Sequence, residues 1–225
     1  GGRRPKPGEI SLATGGILFL DELPEFSRAA LETLRQPLED REVTVSRVEA
    51  TVTYPANFQL VAAMNPCPCG HFPDLARCRC TEGQITRYLQ KISGPLLDRI
   101  DLCVEASPVT YGDIRGGGEN EASGAIRARV EQAREIQKER FMEENIRCNG
   151  EMAGRHIRKY CVLGKEEETF MEEIFEKLAL SARMHDRILK VARTTAALAG
   201  ASEIRLSDLC EAVSYVKSRE KFWGN

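Results

Sequence analysis

The sequence predicts an α/β core followed by an all-α region. Residues 17–22 read Ile-Leu-Phe-Leu-Asp-Glu, and an apolar run without alternation is typical of a parallel strand covered on both faces. Residues 42–53 alternate polar and apolar side chains with β-branched enrichment, which predicts an inserted hairpin. We therefore predict a core over residues 1–106, a Gly-rich linker over 107–123, and a helical domain over 124–225.

Polar side chains follow the predicted strands at the points where they end. Asp21 and Glu22 come directly after the first apolar run, at the edge where open α/β sheets place ligands. Asn65 follows a second predicted strand, residues 58–64, and its amide can hydrogen-bond a phosphate or an attacking water. Taken alone, this pattern is equally consistent with a core strand followed by a charged turn.

Two arginines stand at positions suited to phosphate chemistry. Arg99 is flanked by acidic residues just before a third apolar run, residues 100–104, and Arg183 opens a long amphipathic helix. A guanidinium group suits the charge that develops on a phosphoryl group. A surface ion pair is the simpler alternative for each arginine.

Four cysteines form a compact pattern inside a loop rich in Pro, Gly and Arg. Cys67 and Cys69 make one Cys-x-Cys pair, and Cys78 and Cys80 make a second pair after eight intervening residues. Four thiolates on a short loop suit a tetrahedral structural zinc, although the usual spacing is Cys-x-x-Cys. Reduced free thiols are the main alternative, disulfides are disfavoured in a reducing cytosol, and His71 could replace one sulfur.

Composition predicts a soluble, cytoplasmic protein. Hydrophobic residues make up 42% of the chain and charged residues 29%, and no stretch approaches the roughly 20 apolar residues of a membrane span. The net charge is −2, so any nucleic-acid surface must be a local patch.

Secondary structure can be predicted in more detail for the remaining segments. Residues 31–38 read as helical, and the hairpin is expected to turn near Arg47. Helices are expected over residues 125–142, 166–178 and 184–198, the last capped by Ser181, with a final helix capped by Ser207 and Asp208.

Four stretches together resemble one family. Residues 8–13, 18–26, 62–70 and 92–101 are similar to the magnesium-chelatase-like ComM family of AAA+ ATPases, and the resemblance extends over essentially the whole chain. It implies a partial P-loop NTPase core followed by a helical lid domain.

The resemblance also assigns roles to the site residues. Asp21 and Glu22 would form a Walker B motif, with Asp21 holding the Mg²⁺ of MgATP and Glu22 polarising the attacking water. Asn65 would be sensor 1, Arg99 an arginine finger acting on a neighbouring subunit, and Arg183 sensor 2, in cis or in trans.

The phosphate-binding loop of such ATPases does not occur in these 225 residues. No segment reads Gly-x-x-x-x-Gly-Lys followed by Ser or Thr, and in the family that loop precedes Walker B. We therefore expect the chain to be a carboxyl-terminal piece of a longer protein. On its own it should hydrolyse ATP poorly or not at all.

For the full protein, the resemblance implies a ring, usually a hexamer, that uses ATP and Mg²⁺ to translocate DNA. The expected task is branch migration in recombination and natural transformation, with Arg47 at the hairpin tip contacting DNA phosphates. Two alternatives remain: a metal-chelatase motor subunit that acts on a partner protein, and a non-catalytic, zinc-stabilised DNA-binding scaffold.

Overall fold

A computed structural model describes residues 6–46, 51–107, 109, 111–115 and 121–223. Residue contacts divide the chain into unit 1, residues 1–100 with 222–225, and unit 2, residues 101–221. The predicted linker, residues 107–123, contains a short helix. The predicted domain boundaries stay a prediction, and the two units are described separately.

The described part of unit 1 combines short helices with two small sheets. In chain order its elements are α1 (Glu9–Leu12), β1 (Ile17–Leu20), a 3₁₀ helix (Leu23–Glu25), α2 (Arg28–Thr33), α3 (Arg35–Asp40), β2 (Glu42–Ser46), β3 (Thr51–Pro55), β4 (Gln59–Ala62), α4 (Glu82–Leu89) and α5 (Gly94–Leu97).

Strands β1 and β4 form a parallel pair, as predicted. Ile17 lies opposite Gln59 and Leu20 opposite Ala62. The prediction that both faces of β1 are covered is wrong, because Ile17 is 62% and Phe19 is 58% exposed. Within the described residues this sheet has only two strands, and the apolar cluster of unit 1 covers one face.

That cluster gathers side chains from β1 and from the helices that follow it. Leu18 and Leu20 of β1 pack against a buried group made of Leu23, Leu31, Leu34, Ile92, Leu96 and Leu97. The helix predicted over residues 31–38 is two short helices, α2 and α3, that meet at Leu34. Pro37 has no N–H, so the hydrogen bond that a continuous helix would make to the Thr33 carbonyl is missing. The buried cluster therefore anchors the carboxyl end of β1, directly before the polar residues Asp21 and Glu22.

The predicted hairpin is confirmed in its strands. β2 and β3 pair antiparallel, with Ser46 opposite Thr51 at the far end, and the two hydroxyl groups lie 3.1 Å apart. At the base, Arg41 adopts a left-handed conformation, φ 59°, and its carbonyl accepts the N–H of Ala56 at 2.8 Å. Arg47 lies outside the described residues.

Unit 2 is helical in its described part. Its elements are α6 (Tyr111–Arg115), α7 (Ser123–Arg140), a 3₁₀ helix (Asn149–Glu151), α8 (Gly154–Tyr160), α9 (Lys165–Lys177), α10 (Ala182–Leu198) and α11 (Leu206–Trp223), whose last two residues group with unit 1. The three long helices predicted before the last one are confirmed to within a few residues. Among the helices described in either unit, none combines the length and apolar character needed to cross a bilayer.

The predicted caps of the last two helices have different outcomes. Ser181 caps α10 as expected, because its Oγ accepts the N–H of Met184 at 3.2 Å. Helix α11 begins at Leu206, so Ser207 lies inside the first turn and is not the cap. Asp208 also lies inside the first turn, so the predicted cap at either residue is wrong in position. From there its carboxylate still closes the helix start, because it accepts the backbone N–H of Arg205 at 2.9 Å and two guanidinium N–H groups of Arg205 at 3.0 Å.

The Asp208 carboxylate is buried, with 2% of its side chain exposed. Burial acts to raise the pKa of Asp208, but the hydrogen bonds and charge of Arg205 outweigh it, so the pKa lies below the usual value of 3.8. A carboxyl group with a lowered folded-state pKa stabilises the fold above its unfolded pKa. This contribution is lost as the pH falls through the folded-state value.

We expect Asp208→Ala to lower the free energy of unfolding by about 1–3 kcal/mol at neutral pH, because charged hydrogen bonds are lost at a buried position. The difference from the unsubstituted chain should shrink below pH 4, where protonation removes the same interaction. Ser207→Ala is the matched control and should change little. Chemical denaturation at pH 7 and pH 3 measures both, and equal losses for the two variants would contradict the stabilising role of Asp208 at the start of α11.

Candidate nucleotide site and cysteine cluster

The acidic pair and Asn65 emerge from the same edge of the parallel sheet. Because Leu20 pairs with Ala62, β1 and β4 end side by side. The N–H of Ala63 donates to the carbonyl of Leu20 at 2.9 Å, and the N–H of Leu23 donates to the carbonyl of Ala63 at 3.0 Å. These bonds hold the chain on both sides of Asp21 and Glu22 against the segment that leads to Asn65.

The turn between the two acidic residues has an uncommon backbone conformation. Glu22 is in the left-handed region, φ 50° and ψ 47°, which non-glycine residues seldom occupy. Asp21 Oδ1 accepts the N–H of Glu22 at 2.8 Å, and the carbonyl of Glu22 accepts the N–H of Glu25 at 2.8 Å. Leu23, buried directly after this turn, anchors it to the core. Such constrained conformations concentrate at functional sites.

Both carboxylates and the Asn65 side chain are exposed to solvent. Carboxylate oxygens are the ligands that Mg²⁺ takes from proteins, usually one or two per ion, with water and phosphate oxygens completing the shell. The site therefore offers the donor set that a Mg²⁺ ion carrying substrate phosphates requires.

Arg99 is held by contacts within its own unit. Its Nη1 donates to the carbonyl of Pro95 at 2.6 Å, and its Nη2 pairs with the carboxylate of Glu39. Only 17% of the side chain is exposed, and Nε is buried without a hydrogen-bond partner. Sequence reasoning missed Glu39, because a single glutamate at the end of a short helix carries no distinguishing signal.

The other predicted nucleotide contact belongs to unit 2. Arg183 is exposed in the first turn of α10, two residues after the Ser181 cap. Its placement agrees with the predicted helix start. The structure thus brings together Asp21, Glu22 and Asn65, engages Arg99 with Glu39, and leaves the roles of Arg99 and Arg183 as predictions.

The four loop cysteines converge, as predicted. Their Sγ atoms all lie within 4.8 Å of one another. Cys67 is 3.4 Å from Cys69 and 3.8 Å from Cys78, and Cys69 is 3.6 Å from Cys78. A tetrahedron with Zn–S bonds of about 2.3 Å has S–S edges of about 3.8 Å, whereas a disulfide requires about 2.05 Å. The cysteines are free thiols in a geometry compatible with one zinc ion.

Backbone groups support this cysteine cluster. The N–H of Phe72 points to Cys67 Sγ at 3.4 Å, and Cys67 itself is fully buried. Backbone N–H groups of His71 and Arg79 lower the pKa of Cys69 to about 6. His71 is exposed and lies outside the four-sulfur group, so the described geometry uses sulfur donors alone.

Along the chain, the cysteine cluster lies between Asn65 and helix α4. Thr81, the residue after Cys80, caps α4 through a reciprocal capping box with Gln84, with N–H to oxygen distances of 3.3 and 2.8 Å. Buried Tyr88 on this helix has a raised pKa, chiefly because of desolvation and the charge of Glu25, while the backbone N–H of Asn65 acts in the opposite direction. Tyr88 was also missed from sequence, since an aromatic residue on a helix reads as ordinary core.

Comparisons with known proteins agree with this arrangement. The family described as "Magnesium chelatase, subunit ChlI" matches residues 1–114, just over half of the chain, and "Magnesium chelatase, subunit ChlI C-terminal" matches residues 120–216. The chain is a mixed α/β protein with AAA+-like magnesium-chelatase domains. It belongs to the magnesium chelatase family, and the resemblance to the ComM type is confirmed.

Individual proteins of known sequence are similar to this chain over nearly its whole length. The chain is 47% identical over 216 residues to "Competence protein ComM" of Haemophilus influenzae, covering 96% of this chain and 42% of that protein. It is 47% identical to the uncharacterized protein YifB of Salmonella typhimurium over the same coverage. An uncharacterized protein of Mycobacterium tuberculosis is 39% identical over 210 residues, 93% of this chain and 41% of that protein. The chain therefore spans about two fifths of the length of these relatives.

Proposed function

We propose that the protein to which this chain belongs hydrolyses ATP, and that the paired ends of β1 and β4 carry the reaction. The supporting observation is the joint placement of Asp21, Glu22 and Asn65 at one edge of a parallel sheet. Ligands bind outside the carboxyl ends of parallel strands, and the family relationship points to nucleotide and Mg²⁺ use. The complete activity also needs a phosphate-binding loop.

Each residue has a distinct role in this proposal. Asp21 would hold the Mg²⁺ ion, which supplies charge neutralisation on the β and γ phosphates when bound. Glu22 accepts the hydrogen bond of the attacking water and orients it, and Asn65 donates to the γ-phosphate or to that water. Glu22 can do this because its left-handed backbone turns it away from the strand direction immediately after Asp21.

The arginines would complete the charge compensation in an assembled ring, usually a hexamer. Arg99 is proposed to act on the nucleotide of a neighbouring subunit, and Arg183 to contact nucleotide in cis or in trans. Since Arg99 is bound to Glu39 in the single chain, its action on a neighbour would require that contact to open.

We propose DNA as the substrate of the motor, moved during branch migration in recombination and natural transformation. The name of the Haemophilus influenzae relative, a competence protein, supports this choice. The hairpin of β2 and β3 is the candidate contact, with Arg47 near its turn. A chelatase motor acting on a protein is the second candidate, favoured by the description of the family itself.

We also propose that Cys67, Cys69, Cys78 and Cys80 hold a structural Zn²⁺ ion. Four sulfur donors leave no open coordination position, so the metal would not take part in chemistry. The S–S distances of 3.4–3.8 Å support a common ligand centre. A soft thiolate set also selects against Mg²⁺, which keeps this site distinct from the acidic one.

In the full-length protein, Glu22→Gln should retain MgATP binding and lose turnover by roughly 100-fold or more, because the water-activating charge is removed while Asp21 stays. Glu25→Gln, three residues later in the same turn, is the matched control and should keep near wild-type turnover. Steady-state ATPase rates and equilibrium nucleotide binding measure both effects. Wild-type turnover in Glu22→Gln would contradict the proposed site.

If the hairpin contacts phosphates, Arg47→Ala should weaken DNA binding about equally for all sequences and reduce the salt slope by roughly one per subunit engaged. Basal ATPase should be unchanged. Arg158→Ala, at an exposed position on α8, serves as the control. DNA-binding isotherms at several salt concentrations measure this effect. If the full-length protein does not bind DNA and its ATPase activity is not stimulated by DNA, the chelatase alternative is favoured.

Elemental analysis of the purified protein should give about one zinc per chain. Changing Cys67 and Cys69 together to Ser should remove it and lower the melting temperature, because two of four ligands are lost. Cys210→Ser, an exposed thiol outside the cluster, should leave the zinc content unchanged. A protein that is metal-free without chelator treatment would refute the zinc proposal.

A further inference from the structure

The cysteine cluster and the proposed sensor residue are neighbours in space as well as in sequence. Asn65 precedes Cys67 by two residues. The loop then folds back so that the open side of Gly70 faces the Asn65 side chain. A Cβ atom at Gly70 would be 3.7 Å from Oδ1 and 3.8 Å from Cγ of Asn65. Gly70 has φ +78°, a backbone conformation that favours glycine.

We propose that a zinc ion on the four cysteines positions the Asn65 carboxamide for ATP hydrolysis, so that metal loading controls turnover rather than stability alone. This inference rests on the proposed roles of Asn65 and of the zinc site. It makes the cluster a positioning element that acts on the reaction through Asn65, and none of the four sulfurs contacts the nucleotide.

The loop has almost no apolar packing that could replace the metal. Of residues 68–77, only Phe72 is partly buried, and Leu75 is 81% exposed. Its internal backbone hydrogen bonds, such as Gly70 N–H to the Cys67 carbonyl at 3.0 Å, lie in a largely solvated segment. Without a shared ligand centre, the free energy holding Gly70 against Asn65 would be small, because such loops lose much conformational entropy on ordering.

The cluster also fixes the chain on its far side. Cys78 and Cys80 lead into Thr81, the cap of α4, and this helix is anchored in the core by buried Tyr88 and Leu89. The four cysteines therefore tie the Gly70 turn, which lies beside the Asn65 side chain, to the start of α4. A metal that joins Cys67 and Cys69 to Cys78 and Cys80 would hold the Gly70 turn beside Asn65 by fastening it to an anchored helix.

A double-mutant cycle in the full-length protein tests this coupling. Cys78→Ser with Cys80→Ser removes two ligands at positions remote in sequence from Asn65, and Asn65→Ala removes the proposed sensor. We expect the cysteine variant to lose kcat by roughly 10- to 100-fold, because a misplacement of about 1 Å is enough for such a loss, while MgATP affinity changes less than threefold. In the Asn65→Ala background the cysteine changes should cost less than a further twofold.

Cys148→Ser with Cys210→Ser, two thiols outside the cluster, is the matched control and should leave kcat unchanged. Because the cluster variant could fail to fold, the wild-type protein is also stripped with chelator and refilled. Zn²⁺, or Co²⁺ with its thiolate charge-transfer absorption as a site marker, should restore kcat in proportion to occupancy.

The outcomes separate the two proposals. Losses of kcat that multiply in the combined variant, or full turnover by metal-free protein that still binds MgATP, would overturn the positioning role. Wild-type turnover in both Glu22→Gln and Asn65→Ala would instead refute the proposed hydrolytic site. The coupling would be established by a cysteine variant that folds without zinc, binds MgATP normally and loses kcat. That loss of kcat must also disappear when Asn65 is already Ala.

Discussion

The register between β1 and β4 is the constraint on which the rest of unit 1 depends. With Leu20 opposite Ala62, both strands end at one edge, and the acidic turn and Asn65 leave that edge together. A slip of one residue would shift the strand ends by about 3.3 Å. It would also turn Leu18 and Leu20 away from the buried cluster that supports the sheet. The same register is thus needed both to pack Leu18 and Leu20 and to place the polar residues at one edge of the sheet.

Two different classes of ligand atom follow the ends of the paired strands β1 and β4 along the chain. Asp21 and Glu22 provide hard oxygen donors at an exposed position, and the cysteine cluster provides soft sulfur donors around a fully buried Cys67. Because Mg²⁺ prefers oxygen and Zn²⁺ accepts thiolates, the two sets can be loaded independently. Asn65 stands between them in the chain, two residues before Cys67.

Helix α3 joins two further features that the sequence presents as unrelated. Glu39 near its end binds Arg99, and the carbonyl of Arg41 directly after it closes the base of the β2 and β3 hairpin. Glu39 engages Nη2 of Arg99 and the Pro95 carbonyl engages Nη1, so both terminal nitrogens of the guanidinium have partners within the unit. An Arg99 that reaches a neighbouring nucleotide therefore has to exchange Glu39 for phosphate, next to the element proposed to meet DNA.

Much of the local structure follows from the sequence because it depends on nearby residues. The pattern of apolar and polar positions predicted the parallel strand, the hairpin strands and the long helices, and Ser181 marked the start of α10. The Cys-x-Cys pairs predicted their own convergence, since a loop without a core has few other ways to bury Cys67. Family motifs then identified Asp21, Glu22 and Asn65 as candidates.

The tertiary structure decided what depends on distant partners. It left Ile17 and Phe19 exposed on one face of β1. The sequence could not predict this, because an apolar run does not reveal which neighbouring elements cover it. It started α11 at Leu206, so that Ser207 and Asp208 both lie in the first turn and Asp208 closes the helix start through its contacts with Arg205. It paired Arg99 with Glu39, 60 residues away, and set Gly70 against Asn65. Sequence by itself determined which residues are candidates for the chemistry. Only packing across the fold determined which of them meet, because pattern and spacing record local order while contacts between remote residues are fixed by the shared core.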